Sequence, residues 1–149
     1  MNPKRLLLLQ TELELMNKAQ EHLRYSYERC QAIVGKASYT LEELEHFESL
    51  TSRFARLSDL LIQKLFRLID QLDLDEFGTI RDRINRAEKK GLIAAADKFI
   101  EIRELRNQLA HEYNPNAMLT IFTEVLHYCP LLFDAVERVH RYSRRYLID

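Results

Sequence analysis

The stretch TLEELEHFESLTSRFARLSDLLIQKLFRLIDQL, residues 40–72, decides the fold. Leu44, Phe47, Phe54, Leu57, Leu61, Leu65, Leu68 and Leu72 form a stripe interrupted only by Thr51 and Ser58, which is the periodicity of a long amphipathic helix. Ser38 or Thr40 can cap its start, and Glu43 three residues after Thr40 completes a capping box. Upstream, Leu6, Leu9, Leu13, Met16, Leu23, Tyr27, Cys30 and Val34 give a second stripe, with one slip at Gln20. That spacing predicts a first helix over about Pro3 to Val34, stopped by Gly35. Two long helices joined by a short turn form an antiparallel hairpin.

Downstream of an acidic DLDEFG loop, Thr79 can cap a short, charge-laced helix that Gly91 ends and whose surface is expected to be mostly solvated. A fourth helix from about Leu92 places Leu92, Ala95, Phe99, Ile102, Leu109 and Tyr113 on one stripe, whose remaining position is Arg106. Asn114-Pro115 biases the chain out of helix. Asn116 can restart it into a fifth helix with the stripe Met118, Ile121, Val125, Leu132, Val136, Val139 and Tyr146, which Pro130 is expected to kink or interrupt. The expectation is one all-α domain over residues 1–149, an up-and-down bundle of four long helices and a short one.

Composition agrees with that reading and narrows the functions. Only three Gly and three Pro occur in 149 residues, too few for a turn-rich sheet. The net charge of -1 supplies no global field to gather nucleic acid, so any such role rests on a local patch. Cys30 and Cys129 lie far apart without a CxxC partner, which fits reduced core thiols in a cytoplasmic protein. Gln10, Glu12 and Glu14 cut the N-terminal apolar run short of a signal-peptide core, and no uncharged apolar run of membrane-spanning length is expected.

The densest group of functional side chains is RNQLAHEY, residues 106–113. An arginine on a buried stripe needs a partner, so the plain reading of Arg106 is a salt bridge to an acidic residue on a neighbouring helix. On a regular helix His111 lies roughly 140° around and 7.5 Å along from Arg106, so the two share no face. They converge only if the helix frays before Pro115, or if a second copy completes the site across a two-fold axis. Tyr113 returns to the Arg106 face, where the plain reading is a core aromatic with its hydroxyl at the rim.

This segment resembles the Arg-x4-His-x-Tyr motif of the HEPN superfamily, specifically the HepT-like toxins paired with minimal nucleotidyltransferases. Gly91-Leu92-Ile93 leading into the motif helix, and the order of long hairpin, short helix, motif helix and final helix, are also similar to that family. The resemblance implies a homodimeric, metal-independent endoribonuclease with both copies of the motif lining a cleft. It implies that His111 is the acid or base on the ribose 2'-hydroxyl, that Arg106 binds the scissile phosphate, and that Asn107 orients the site. It also implies that Tyr113 assists and receives AMP from the cognate nucleotidyltransferase antitoxin, which silences the toxin. Arg103, Arg141, Arg144 and Arg145 are candidates for a basic rim, against the plainer reading of solvated charges.

Two other readings compete. Glu43-x-x-His46, Glu124-x-x-His127 and Glu137-x-x-His140 have the spacing from which ferritin-like bundles build di-iron sites, although such pairs arise by chance in Glu-rich helices. The other reading is a non-catalytic partner or substrate-binding subunit of a nucleotidyltransferase.

Overall fold

A computed structural model describes residues 2–147. Five helices account for nearly all of them: α1 (Pro3–Gln31), α2 (residues 41–72), α3 (Ile80–Lys90), α4 (Ala96–Leu109) and α5 (Pro115–Leu147). No strand occurs among the described residues. Three helices are long and two short, because the fourth begins at Ala96 rather than near Leu92 and ends at Leu109. Gly91, in the left-handed region at φ 80°, ends α3, and Leu92 and Ile93 are buried in the link that follows.

The caps read from the sequence are present at α2 and α3. Thr40 and Glu43 exchange hydrogen bonds as a capping box, and Thr79 and Asp82 do the same. The α5 cap is Asn114 rather than Asn116: its Oδ1 accepts from the Asn116 and Ala117 N–H groups, with Pro115 as the first helical residue. Ala95 has no side chain to cap α4, and the Glu88 carboxylate of α3 accepts from the Ala96 N–H at 2.7 Å instead. Helix α1 stops at Gln31, three residues short of Val34, in a turn before Gly35.

Side-chain contacts give the helix directions. Arg5 reaches the Gln71 carbonyl while Ser26 bonds Arg53, so α1 and α2 run antiparallel. Phe99 packs on Phe66 while Arg106 meets Asp59, so α4 runs antiparallel to α2. Phe122 stacks on Phe47, and Tyr146 bonds Asp73, which makes α5 parallel to α2 and antiparallel to α1 and α4. The four larger helices therefore alternate in direction, and α2 packs against all three others.

Helix α2 is not regular. Between α-helical segments Leu41–Asp59 and Phe66–Leu72 lies a π-helical turn, Leu60–Leu65. A π turn closes i→i+5 hydrogen bonds and so inserts one residue, advancing the side-chain pattern by about 100°. The successive four-residue steps Leu57, Leu61 and Leu65 are its mark in the sequence. The buried face consequently broadens below it to take in Ile62, Phe66 and Ile69 beside the Leu65–Leu68 stripe.

Two further expectations need correction. Pro130 neither ends nor divides α5, which runs unbroken from Pro115 to Leu147. Pro130 sits on the exposed face, while Cys129 and Leu132 beside it are buried, so core packing carries the helix past one missing N–H donor. Helix α5 also comes closer to a membrane span than the sequence suggested, since its length and composition suffice to cross one, but half of that stretch is buried inside the bundle. Cys30 and Cys129 are free and fully buried; burial pushes the Cys30 thiol up to about 11 and raises that of Cys129 as well.

The lower end of the bundle is closed by a polar network that the sequence did not announce. Helix α3 is far from fully solvated: Ile84 and Ala87 are buried, and Arg86 clamps the 2%-exposed Asp70 with Nε at 3.1 Å and Nη2 at 2.9 Å from Oδ2. Lys90 bridges Asp70 at 2.8 Å and Asp73 at 3.0 Å. Tyr142 and Tyr146 of α5 both donate to the Asp73 carboxylate. Burial penalises that carboxylate, but the hydrogen bonds from both tyrosines and Lys90 outweigh it and hold its pKa below the ordinary 3.8. A carboxyl depressed on folding stabilises the fold above its unfolded pKa, and loses that contribution as pH falls through its folded value. Between about pH 4 and pH 2, wild type should therefore lose more stability in urea unfolding than Asp73→Asn does; parallel losses would remove Asp73 from the account.

Candidate functional site

Helix α4 is held at three points: Glu88 caps its start, Phe99, Ile102 and Leu105 bury one face, and Arg106 ties its last turn to α2. Leu105, absent from the stripe read in the sequence, takes the core position, and Arg106 falls beside the seam instead of inside it. The Arg106 guanidinium forms a bidentate pair with Asp59, Nε to Oδ1 and Nη2 to Oδ2, both 2.9 Å. The expected acidic partner on a neighbouring helix is thus Asp59, the last residue before the π turn.

The pair stands at the protein surface, with side-chain exposures of 30% for Arg106 and 45% for Asp59. Its hydrogen bonds to Asp59 raise the arginine pKa above its ordinary value, so the guanidinium stays charged. Two of its N–H donors are spent on Asp59, and the residue lines an open groove of about 840 Å³. Asn107 and Ala110 form the α4 wall of that groove; Ser52, Arg56, Gln63 and Lys64 line the α2 wall. Arg56 and Lys64 escaped the sequence reading because exposed polar residues on the outer flank of an amphipathic helix look like ordinary solvated charge.

Beyond Leu109 the chain leaves the helix, so the projection of Tyr113 onto the Arg106 face fails. Tyr113 is 87% exposed, and no core role remains for it. His111 lies in the turn, exposed, with its N–H bonded to the Gln108 carbonyl. The turn is ordered from both sides: the Glu112 carboxylate accepts from the Asn114 N–H at 2.9 Å, and Asn114 caps α5. The fraying before Pro115 that would let Arg106 and His111 approach each other is therefore realised, but His111 does not line the groove that holds Arg106 and Asn107.

The candidate basic rim is dispersed. Arg145 stacks on Tyr142 at 3.6 Å near the C-terminal end of α5, and none of Arg103, Arg141, Arg144 and Arg145 lines the groove. The three Glu-x-x-His pairs are dispersed as well. Glu43 is engaged by Thr40 and Lys36, the His127 ring packs edge-on against Tyr128, and His140 contacts Asn17. Among the described residues no three His, Cys, Asp or Glu side chains form a group able to hold a metal ion.

No protein-family model matches the chain, and no curated protein matches it in sequence at a significant level.

The two arginine–aspartate clamps separate by their surroundings. Removing Asp70 leaves Lys90 with Asp73 and Asp75 but strands Arg86 in a largely buried place, where breaking an ion pair costs about 3–5 kcal/mol. The Asp59–Arg106 pair is solvent-screened, and losing it costs about 1 kcal/mol or less. Urea unfolding of Asp70→Ala and Asp59→Ala should show that contrast, and equal losses would make the Arg106 pair a core element.

Proposed function

We propose that the protein is a metal-independent endoribonuclease of the HEPN type, acting as a cytoplasmic homodimer and neutralised by a cognate minimal nucleotidyltransferase. The observation that carries this reading is the arrangement of the motif: Arg106 is fixed by Asp59 at an open groove, with Asn107 beside it and His111 and Tyr113 exposed on the turn that follows. A long hairpin, a short helix, the motif helix and a long final helix follow one another in the order that the resemblance requires.

In this reading His111 takes the proton from a ribose 2'-hydroxyl, imidazole being the side chain most often used as a general base. The 2'-oxygen attacks the adjacent phosphorus, and the bond to the 5'-oxygen of the next nucleotide breaks. The leaving oxygen takes up a proton, so the products carry a 2',3'-cyclic phosphate and a 5'-hydroxyl. Arg106 stabilises the charge gathering on the phosphoryl oxygens through the donors that Asp59 leaves free. Because His111 lies outside the groove of its own chain, a second copy across a two-fold axis supports a complete site better than one chain alone. Tyr113 offers a solvent-facing phenol for AMP attachment by the nucleotidyltransferase.

One observation favours a second reading, a non-catalytic partner of the nucleotidyltransferase: Arg106 already spends its charge on Asp59. The two readings differ in a cleavage assay. With purified dimer and labelled RNA in EDTA, His111→Ala and Arg106→Ala should each lower cleavage by at least about 100-fold while helicity and dimer are kept. Tyr113→Phe should abolish nucleotide attachment. Absence of cleavage by unmodified wild type on varied RNAs would transfer the assignment to the partner reading.

A further inference from the structure

The groove beside Arg106 is cationic in a chain whose net charge is -1. Arg56, Lys64 and Arg106 line it against a single carboxylate, Asp59, and Asp59 is already neutralised by Arg106. Arg56 and Lys64 are exposed, and among the described residues neither has a carboxylate within ion-pair distance. Most other cations facing this flank of α2 are occupied. Arg53 bonds Ser26 and the His22 carbonyl, and Arg67 pairs with Glu76 at 2.8 Å.

The π turn explains why these two free cations face one groove. Residues eight apart on a regular α-helix lie about 80° apart around the axis. One inserted residue makes the eight steps from Arg56 to Lys64 equivalent to seven, which brings them to within about 20° of each other, roughly 10.5 Å apart along the helix. Gln63 and Leu60 of the same turn complete that wall, with Ser52 one turn above Arg56. The groove continues into a neighbouring depression at each end. One shares Ser52 and Arg56 and adds Arg53, and the other shares Gln63 and Lys64 and adds Arg67 together with Glu12, which ends the cationic stretch on its side. Glu45 and Glu48 lie beyond Arg53 and end the cationic stretch on that side.

We propose that this flank of α2 is the track for the phosphate backbone of single-stranded RNA, with Arg56 and Lys64 as its two phosphate-binding residues and Arg106 at its centre. The proposal rests on the ribonuclease reading in taking RNA as the ligand. Two unpaired cations on one wall, flanked by uncharged hydrogen-bonding groups, fix phosphates without reading bases. The π turn costs helix regularity in the middle of the most heavily packed helix, and its effect at the surface is to align this pair.

The test is equilibrium binding of a fluorescently labelled 12-nucleotide 2'-O-methyl RNA, which binds but lacks the attacking hydroxyl, measured by anisotropy across a salt series. Arg56→Gln/Lys64→Gln should weaken binding by at least about tenfold near 0.1 M salt, and lower the slope of log K against log salt by about 1.4. Lys18→Gln/Arg29→Gln, which removes two exposed cations of α1, should leave both unchanged. Circular dichroism establishes that each variant keeps its helicity. Binding by the Arg56/Lys64 variant equal to that of wild type overturns the track, as does a wild type that fails to bind. Cleavage of unmodified RNA measured in parallel separates the two ideas. Binding that depends on Arg56 and Lys64 without cleavage keeps the track and removes the nuclease, whereas cleavage unaffected by their loss keeps the nuclease and removes the track.

Discussion

Everything in this protein is fitted to the wide buried face of α2. Phe47, Leu50, Phe54 and Leu57 face the core above the π turn, and Leu65, Phe66, Leu68 and Ile69 face it below. Each of those side chains stabilises the fold by roughly 1.5–3 kcal/mol when fully buried, so the face cannot rotate out of register without a large loss. The inserted residue at Leu60–Leu65 turns the lower half of α2 so that Ile62, Phe66 and Ile69 join the leucine stripe in the core. The same adjustment sets the outer surface, since rotating the core face rotates the polar flank with it.

The polar groups divide between two environments, and the division decides their roles. At the lower end, Asp70 is buried between Arg86 and Lys90, and Asp73 is held by two tyrosines of α5. Such a network, with both carboxylates hydrogen-bonded, specifies how α3 and the end of α5 sit against α2. At the opposite side of the π turn, Asp59 and Arg106 form an equally regular clamp that remains half in water. A screened pair contributes little to stability, and its geometric content is orientation: it aims a guanidinium along a surface.

Much of this was legible in the sequence. The alternating bundle, the caps at Thr40 and Thr79 and the stop at Gly91 followed from periodicity and local hydrogen-bonding chemistry, which act within four residues. What escaped depended on longer reach. Glu88 capping α4 is a contact between two helices, and no local rule assigns a glutamate on a charged helix to the next helix's start. Arg106 was placed in the core because the stripe was extended through Tyr113, although Asn114-Pro115 already signalled that the helix would end earlier. The consecutive four-residue steps at Leu57, Leu61 and Leu65 carried the π turn, but the same steps fit an ordinary stripe. The interruption expected at Pro130 does not occur, because a local rule gives only the cost of its missing N–H, whereas the continuity of α5 rests on core contacts on the opposite face.

The central claim is that the motif turn acts on the ribose 2'-hydroxyl. Its most direct test replaces a single ribose at the cleaved position by deoxyribose in an otherwise unmodified RNA, in the presence of EDTA. The account predicts that cleavage at that position disappears, while the all-ribose RNA yields a 2',3'-cyclic phosphate end by mass spectrometry. Cleavage persisting at the deoxyribose position would contradict it, because no internal nucleophile would then remain.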